Sequence, residues 1–135
     1  MTADEARAAL YDVAQLRFPN LQTLGHREKV NAIEDYLGQT AIARGELEEA
    51  RLHVGALHLA MKSEWDDIEG WEMHVGTSAS RRTQEDVRMA KKRCRPDLYS
   101  ALTQSKFLLD SLQLQIRRLE QDDAAASREY TIITG

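Results

Sequence analysis

The chain has 135 residues and a formal net charge of −4; 42% of its residues are hydrophobic and 30% are charged, with 7 Gly and 2 Pro. This length suits one domain, the apolar content argues against a disordered chain, and the shortage of Gly and Pro argues against a β-sandwich or barrel. Because the sequence has one cysteine, no apolar run that could cross a bilayer and no signal-peptide pattern at its start, we expect a cytoplasmic all-α protein without membrane association.

Two helices joined by a loop are predicted for the first half of the chain. Thr2 and Glu5 form a capping-box pair that opens a helix ending near Arg17, and residues 18–25 are predicted to form a loop. One long helix is predicted over residues 26–68, because apolar residues recur every seven positions with a second set three positions later. The first set is Ile33, Thr40, Leu47, Val54, Met61 and Ile68, and the second is Tyr36, Ala43, Ala50 and Leu57.

The second half is predicted to begin with a loop over residues 69–82. Thr83, with Asp86 three positions later, then opens a short basic helix, and Pro96 suits the first position of a last helix. That helix has an apolar seam with alternating spacings of four and three residues, and the polar residues 121–126 predict a kink near its end. The seam is Leu98, Leu102, Ser105, Leu109, Leu112, Ile116 and Leu119. We therefore treat residues 1–135 as one helical domain whose parts are 1–25, 26–68, 69–82 and 83–135.

The length of the second helix predicts an elongated molecule. At about 1.5 Å per residue it would extend roughly 60 Å, which a compact globule with a radius of gyration of about 14 Å cannot enclose. We expect an elongated helical hairpin or coiled coil with short flanking helices. Apolar residues outside the seams exceed what one hairpin buries, namely Leu37, Phe107, Leu108 and Leu114. This excess predicts a homo-oligomer, with Leu102, Leu109, Leu112, Ile116 and Leu119 as interface residues.

The residue types that usually carry catalysis or bind metals show no functional spacing. His53 and His58 are five residues apart, which does not place them on one helical face as a zinc site requires. Cys94 has basic neighbours but no context of a nucleophile. We expect no enzymatic activity, no metal and no cofactor. The segment 64–72 contains five acidic residues and two tryptophans, and it is predicted to be either an acidic helix end or a binding tip.

The basic residues are concentrated in one segment, which is the strongest functional signal. Between Arg81 and Arg95 there are seven basic and two acidic residues, a local net charge of +5. Phosphate affinity follows the local field, because screening limits its range to about 8 Å. Tyr99 and the pair Trp65 and Trp71 offer aromatic faces, and cations combined with such faces are typical of single-stranded nucleic acid binding. The alternative is a solvated basic face that pairs with acidic residues of a neighbouring subunit.

The C-terminal part carries a run of motifs with defined spacing. They are Thr83, Val87, Ala90-Lys91, Pro96-Asp97-Leu98-Tyr99, Leu108-Leu109-Asp110, Ile116 and Leu119, followed by an amphipathic stretch to Ile133. This run resembles the UvsY-type phage recombination mediators. The resemblance implies a helical protein that forms ring-like homo-oligomers through its C-terminal helices, binds single-stranded DNA and helps load a RecA-like recombinase against a single-strand-binding protein. The family has a basic pair near the end of the long helix, and here only Lys62 matches that pair.

These features predict a non-enzymatic, oligomeric protein that binds single-stranded DNA in recombination and repair. We expect it to be encoded by a phage and to act in the host cytoplasm. Its partners would be single-stranded DNA, further copies of the chain and, by resemblance, a recombinase and a single-strand-binding protein. The predicted phosphate-binding residues are Lys62, Arg81, Arg82, Arg88, Lys91, Lys92, Arg93 and Arg95. The alternative function is a coiled-coil adaptor or inhibitor of a host protein, for example a factor that binds the transcription machinery through residues 64–72.

Overall fold

The structure, a computed structural model, describes residues 1–75 and 83–135. Of these residues, 84% are helical and none lies in a strand, so the predicted all-α class is confirmed. The α-helices are α1 (Ala3–Ala14), α2 (His26–Asp66), α3 (Gln84–Cys94) and α4 (Pro96–Thr134), and a 3₁₀ turn spans Trp71–His74. No helix in this part of the chain combines the length and apolar content needed to cross a membrane.

The first helix begins as predicted but ends three residues earlier than predicted. The Thr2 hydroxyl accepts a hydrogen bond from the Glu5 amide, 3.2 Å away, and caps the start. The helix ends at Ala14 rather than near Arg17, because side chains take the carbonyl oxygens of its last turn. Arg17 donates to the Ala14 carbonyl, and Arg118 of α4 donates to the Val13 carbonyl across 2.8 Å. These bonds satisfy the acceptors that another helical turn would have used.

The two long helices α2 and α4 pack antiparallel. Their register is defined by Glu34 with Tyr130 (2.9 Å), Arg51 with Gln113 (2.9 Å) and His58 with Ser105 (2.6 Å). The partner's number on α4 falls by about as much as the number on α2 rises, which is the signature of an antiparallel pair. At about 1.5 Å per residue, each helix is roughly 60 Å long. The molecule is therefore an elongated hairpin, and α3 lies at the end where α2 stops and α4 begins.

The main core lies where α1 packs on both long helices. The buried residues of α1 are Ala6, Ala9 and Val13; those of α2 are Ala43, Leu47, Ala50 and Val54; those of α4 are Leu108, Leu112, Ile116 and Leu119. The small residues of α1 and α2 allow the three backbones to approach closely. The sequence alone predicted two packed stripes, whereas the structure has three helices around this cluster.

A second core closes the other end of the hairpin. Ile33 and Tyr36 of α2 are buried with Ala126 of α4. The polar residues 121–126, for which the sequence predicts a kink, lie within α4, which is one continuous helix to Thr134. Within this stretch Asp123 hydrogen-bonds Thr40, which is fully buried on α2. A buried hydroxyl with a carboxylate partner avoids the cost of an unsatisfied polar group, so polar residues are accommodated between the two helices here.

Most of the predicted interface residues on α4 are already in contact with other parts of the same chain. Leu112, Ile116 and Leu119 have at most 1% of their surface exposed. Leu109 is half-buried against the main core, and Leu102 is half-buried at the surface. A second copy of the chain would therefore have to contact mainly other side chains.

The apolar residues left outside the predicted seams divide into two groups. Leu108 belongs to the main core because α1 covers it, and Leu37 packs against the second core. Phe107 and Leu114 remain 74% and 66% exposed, one helical heptad apart on α4. The surface that the single chain leaves uncovered on this part of α4 thus includes these two residues.

Candidate nucleic-acid interface

Helix α3 is anchored at both ends by local sequence signals. Thr83 and Asp86 form the predicted capping box, with the Thr83 amide donating to the Asp86 carboxylate over 2.9 Å and the Asp86 amide donating to the Thr83 hydroxyl over 3.1 Å. At the other end Arg95 separates α3 from α4, which begins at Pro96 as predicted. The turn between them folds α3 back beside the 3₁₀ turn and α4, and the Lys91 side chain reaches the end of α2.

Two of the predicted phosphate-binding residues on α3 instead hold the preceding segment. The Lys91 ammonium donates to the carbonyl oxygens of Trp65 and Asp66, at 3.1 and 3.4 Å. These carbonyls belong to the last turn of α2, where a cation also interacts favourably with the helix dipole. Arg93 donates to the His74 carbonyl at 3.0 Å. Lys91 and Arg93 therefore fasten α3 to the end of α2 and to the 3₁₀ turn.

An open groove of about 400 Å³ lies where α2, α3 and α4 meet. It is lined by His58, Lys62 and Trp65 of α2, Arg88 of α3, and Tyr99, Leu102, Thr103 and Lys106 of α4. We call it the basic groove. It brings together Lys62 and Arg88, two predicted phosphate-binding residues that are 26 positions apart in the sequence. Their convergence follows from the helix register and from the turn that folds α3 back.

The wall of the basic groove contains a pair of aromatic rings. The ring centroids of Trp65 and Tyr99 are 5.9 Å apart and their planes are tilted by 44°. Trp65 is 8% exposed, so Tyr99 presents the more accessible ring. The Lys92 ammonium lies 4.6 Å from the Tyr99 ring centroid, and the Arg88 guanidinium lies 5.9 Å from it. These cation–π contacts place positive charge around an aromatic surface.

Each Lys or Arg side chain that lines the basic groove has a carboxylate partner on its own helix. Lys62 pairs with Asp66 at 2.9 Å, Arg88 with Glu85 at 2.6 Å, and Lys106 with Asp110 at 2.8 Å. The hydrogen bonds from Arg88 hold the pKa of the Glu85 carboxyl below its usual value. The same bonds, followed by the one to Tyr99, raise the pKa of the Arg88 guanidinium. The side chains remain 45–64% exposed, so solvent screens these pairs.

His58 has one ring nitrogen held by the protein. Its Nδ1 lies 2.6 Å from the Ser105 hydroxyl, which also lies 3.0 Å from the Leu102 carbonyl oxygen. Because the hydroxyl donates to that carbonyl, we assign it as the acceptor of an Nδ1–H hydrogen bond. This assignment leaves Nε2 as the nitrogen that can meet a ligand in the basic groove.

The four remaining predicted binding residues do not belong to the described lining of the basic groove. Lys92 lies at Tyr99, beside the basic groove, whereas Arg95 forms ion pairs with Glu64 at 3.1 Å and with Asp97 at 3.2 Å. The predictions for Arg81 and Arg82 fall outside the described residues. The prediction thus included Lys62 and Arg88, the two cationic residues that α2 and α3 contribute to the groove. It also included residues whose contacts lie elsewhere.

Sequence reasoning missed His58 and Lys106, which lie far from the basic segment in the chain. A signal for both was available in helical spacing. His58 is four residues before Lys62 on α2, and Lys106 is seven residues after Tyr99 on α4, so each shares a helical face with a residue already singled out. Only the pairing of α2 with α4 shows that these two faces meet.

The acidic segment 64–72 contacts other parts of the chain at several points. Glu64 pairs with Arg95, Asp66 pairs with Lys62, and Trp65 is buried beside Tyr99. The Cys94 thiol lies 3.9 Å from the Glu69 carbonyl and is half-buried.

In residues 1–75 and 83–135, no three His, Cys, Asp or Glu side chains are grouped as a metal site requires.

No family model, curated protein or solved structure matches this chain. The basic groove therefore has to be interpreted from its own chemistry. Side chains from three helices form an open, positively lined depression with an aromatic wall. Such a surface is suited to bind an anion that also carries a flat apolar ring.

Proposed function

We propose that this protein is a non-enzymatic mediator of DNA recombination that binds single-stranded DNA in the basic groove. The observation that carries the proposal is the convergence of Lys62, Arg88 and Lys106 in one groove with the half-buried ring of Tyr99. Phosphates and bases alternate along a single strand, so a site for it needs cations and a stacking surface side by side. The basic groove provides both within a single depression.

In this proposal the strand is bound through its backbone and one stacked base. Lys62, Arg88 and Lys106 contact phosphate oxygens, and Tyr99 stacks against a base. Since phosphate contacts carry no sequence information and every base has an aromatic face, we expect little sequence preference. Three neutralised phosphates correspond to a log–log salt slope of about −2 for a single strand.

The mediator role, the recombinase partner and the single-strand-binding partner rest on the resemblance between residues 83–119 and the UvsY-type family. That resemblance also supports a phage origin and action in the host cytoplasm. Assembly into a homo-oligomer is supported by the exposure of Phe107 and Leu114. In an oligomer, repeated basic grooves would bind one strand together, which raises the overall affinity without new contacts at each site.

The test is fluorescence anisotropy with a labelled oligo(dT) at about 50 and 200 mM salt. The variant Lys62→Gln/Arg88→Gln/Lys106→Gln should lose most of the affinity and most of the salt dependence. A matched control removes three exposed arginines farther along α2 and α4, with Arg27→Gln, Arg117→Gln and Arg128→Gln. Because both variants lose the same charge, only loss specific to the groove supports the proposal.

The alternative function is a protein-interaction adaptor or inhibitor of a host protein. An apolar groove of about 550 Å³ between α1 and α4, with Leu10 and the exposed Phe107 in its lining, favours this alternative. Absence of single-strand binding by the wild type even at about 50 mM salt would reject the first proposal. The adaptor function would then take its place.

A further inference from the structure

The cations of the basic groove have counter-ions on their own helices. Lys62, Arg88 and Lys106 each pair with an acid three or four residues away on the same helix. None of these acids is among the described residues that line the groove. The three acids are therefore partners of the groove's cations without being part of its lining.

Arg88 is the most strongly held of the three cations. Its Nε and Nη2 atoms donate to the two carboxylate oxygens of Glu85, at 3.0 and 2.6 Å, and its Nη1 atom donates to the Tyr99 hydroxyl at 3.1 Å. The Nε–Nη2 edge is a pair of parallel donors that also fits a phosphate bidentately. A phosphate that uses this edge must displace Glu85.

Lys62 and Lys106 are held less completely. Each ammonium has three N–H donors, and its carboxylate partner, Asp66 or Asp110, takes one of them at 2.9 or 2.8 Å. A phosphate can therefore approach either lysine while the ion pair is still present. The three carboxylates should differ in their effect on binding, with Glu85 having the largest.

We propose that Asp66, Glu85 and Asp110 compete with DNA phosphates for the cations of the basic groove and thereby keep the affinity for a single strand low. This inference rests on the proposed function. A mediator has to release the strand to another protein, and internal competitors would make each phosphate contact easier to break. The acids thus set the strength of binding without touching the DNA.

The size of the effect follows from the exposure of the pairs. Ion pairs at the surface contribute about 0.2–1 kcal/mol, which corresponds to about 1.5- to 5-fold in affinity for each pair that opens on binding. Removing all three acids should raise the affinity by up to about fivefold, most of it through Glu85, because a phosphate can bind the two lysines while their ion pairs persist. Glu85→Gln alone should give the largest single increase.

The experiment measures oligo(dT) anisotropy at about 100 mM salt for Asp66→Asn/Glu85→Gln/Asp110→Asn. A matched control neutralises three acids that also pair with bases on their own helices, with Asp4→Asn, Glu48→Gln and Glu49→Gln. Their partners are Arg7, Arg51 and His53. Both variants shift the net charge equally, and circular dichroism verifies that both keep the helical fold. Should the triple variant not fold, Glu85→Gln is compared with Glu48→Gln.

We expect tighter binding for the groove variant and little change for the control. An equal gain in both would show a general charge effect and overturn the inference. Unchanged affinity of the groove variant, with a wild type that binds, would overturn the inference and leave the proposed function standing. If neither the wild type nor the groove variant binds at about 50 mM salt, the proposed function fails and the inference fails with it.

Discussion

The Lys91 ammonium of α3 lies 3.1 Å from the Trp65 carbonyl oxygen and so caps the C-terminal end of α2. The sequence predicts Lys91 as a phosphate ligand because it lies in the basic segment. In the structure its charge is used to satisfy backbone acceptors at a helix end. A hydrogen bond from a charged donor to such an acceptor contributes more to stability than an exposed ion pair does.

The contrast between Lys91 and Lys106 gives a first prediction. Lys91→Met keeps the apolar stem but removes the charge, and it should lower the free energy of unfolding by about 1 kcal/mol with little effect on oligo(dT) affinity. Lys106→Met should weaken oligo(dT) binding and leave the free energy of unfolding nearly unchanged. The reason is that Lys106 lines the basic groove, whereas its exposed pair with Asp110 adds little stability. Urea unfolding and anisotropy measure the two effects. Loss of binding in Lys91→Met without loss of stability would contradict this assignment.

The second prediction concerns the ring of Tyr99. Tyr99→Ala should weaken single-strand binding by at least about fivefold, because stacking of a base on an aromatic side chain contributes about 1–3 kcal/mol. Tyr99→Phe retains the ring and should bind nearly as well as the wild type, although it loses the hydrogen bond from Arg88. Tyr11→Ala is the control, since Tyr11 is 70% exposed on α1. Equal anisotropy curves for Tyr99→Ala and the wild type would rule out stacking at this ring.

The third prediction separates the core of the chain from its outer surface. Leu109→Asp/Ile116→Asp should abolish the helical fold, because Ile116 is 1% exposed and a buried unpaired charge is costly. Phe107→Asp/Leu114→Asp should remain helical, because both residues are exposed. If the wild type assembles through this surface, the second variant should be a folded monomer in light scattering. A folded oligomer of unchanged mass would place the interface elsewhere.

The fourth prediction is a pH dependence of binding that arises from Glu85. Arg88 holds the pKa of the Glu85 carboxyl below its usual value of about 4.3, so a phosphate that takes Arg88 lets that pKa rise. The complex therefore takes up protons, and affinity increases as the pH falls from about 5 through the usual glutamate pKa of about 4.3. Glu85→Gln should remove this part of the increase. Oligo(dT) titrations over this range measure it, and an identical pH dependence in both proteins would contradict the displacement of Glu85.

The sequence by itself determined the elements of this fold, because their signals are local. The capping box of Thr83 and Asp86, the start of α4 at Pro96 and the seven-residue repeat of α2 from Ile33 to Val54 all act within one or two helical turns. The same local patterns revealed the basic segment. They were unable to separate Leu108 from Leu109, because the choice between adjacent positions depends on α1, which covers Leu108.

The basic groove was decided only by the tertiary structure. The antiparallel register that pairs His58 with Ser105 brings the faces of Lys62 and Lys106 to one place, and it is set by packing along about 60 Å of helix. Composition also cannot tell which cations face solvent, since Arg88 and Lys91 are three residues apart on one helix. Arg88 lines the groove, whereas Lys91 caps the end of α2 at the Trp65 carbonyl, because the way α3 folds back gives each side chain a different neighbour.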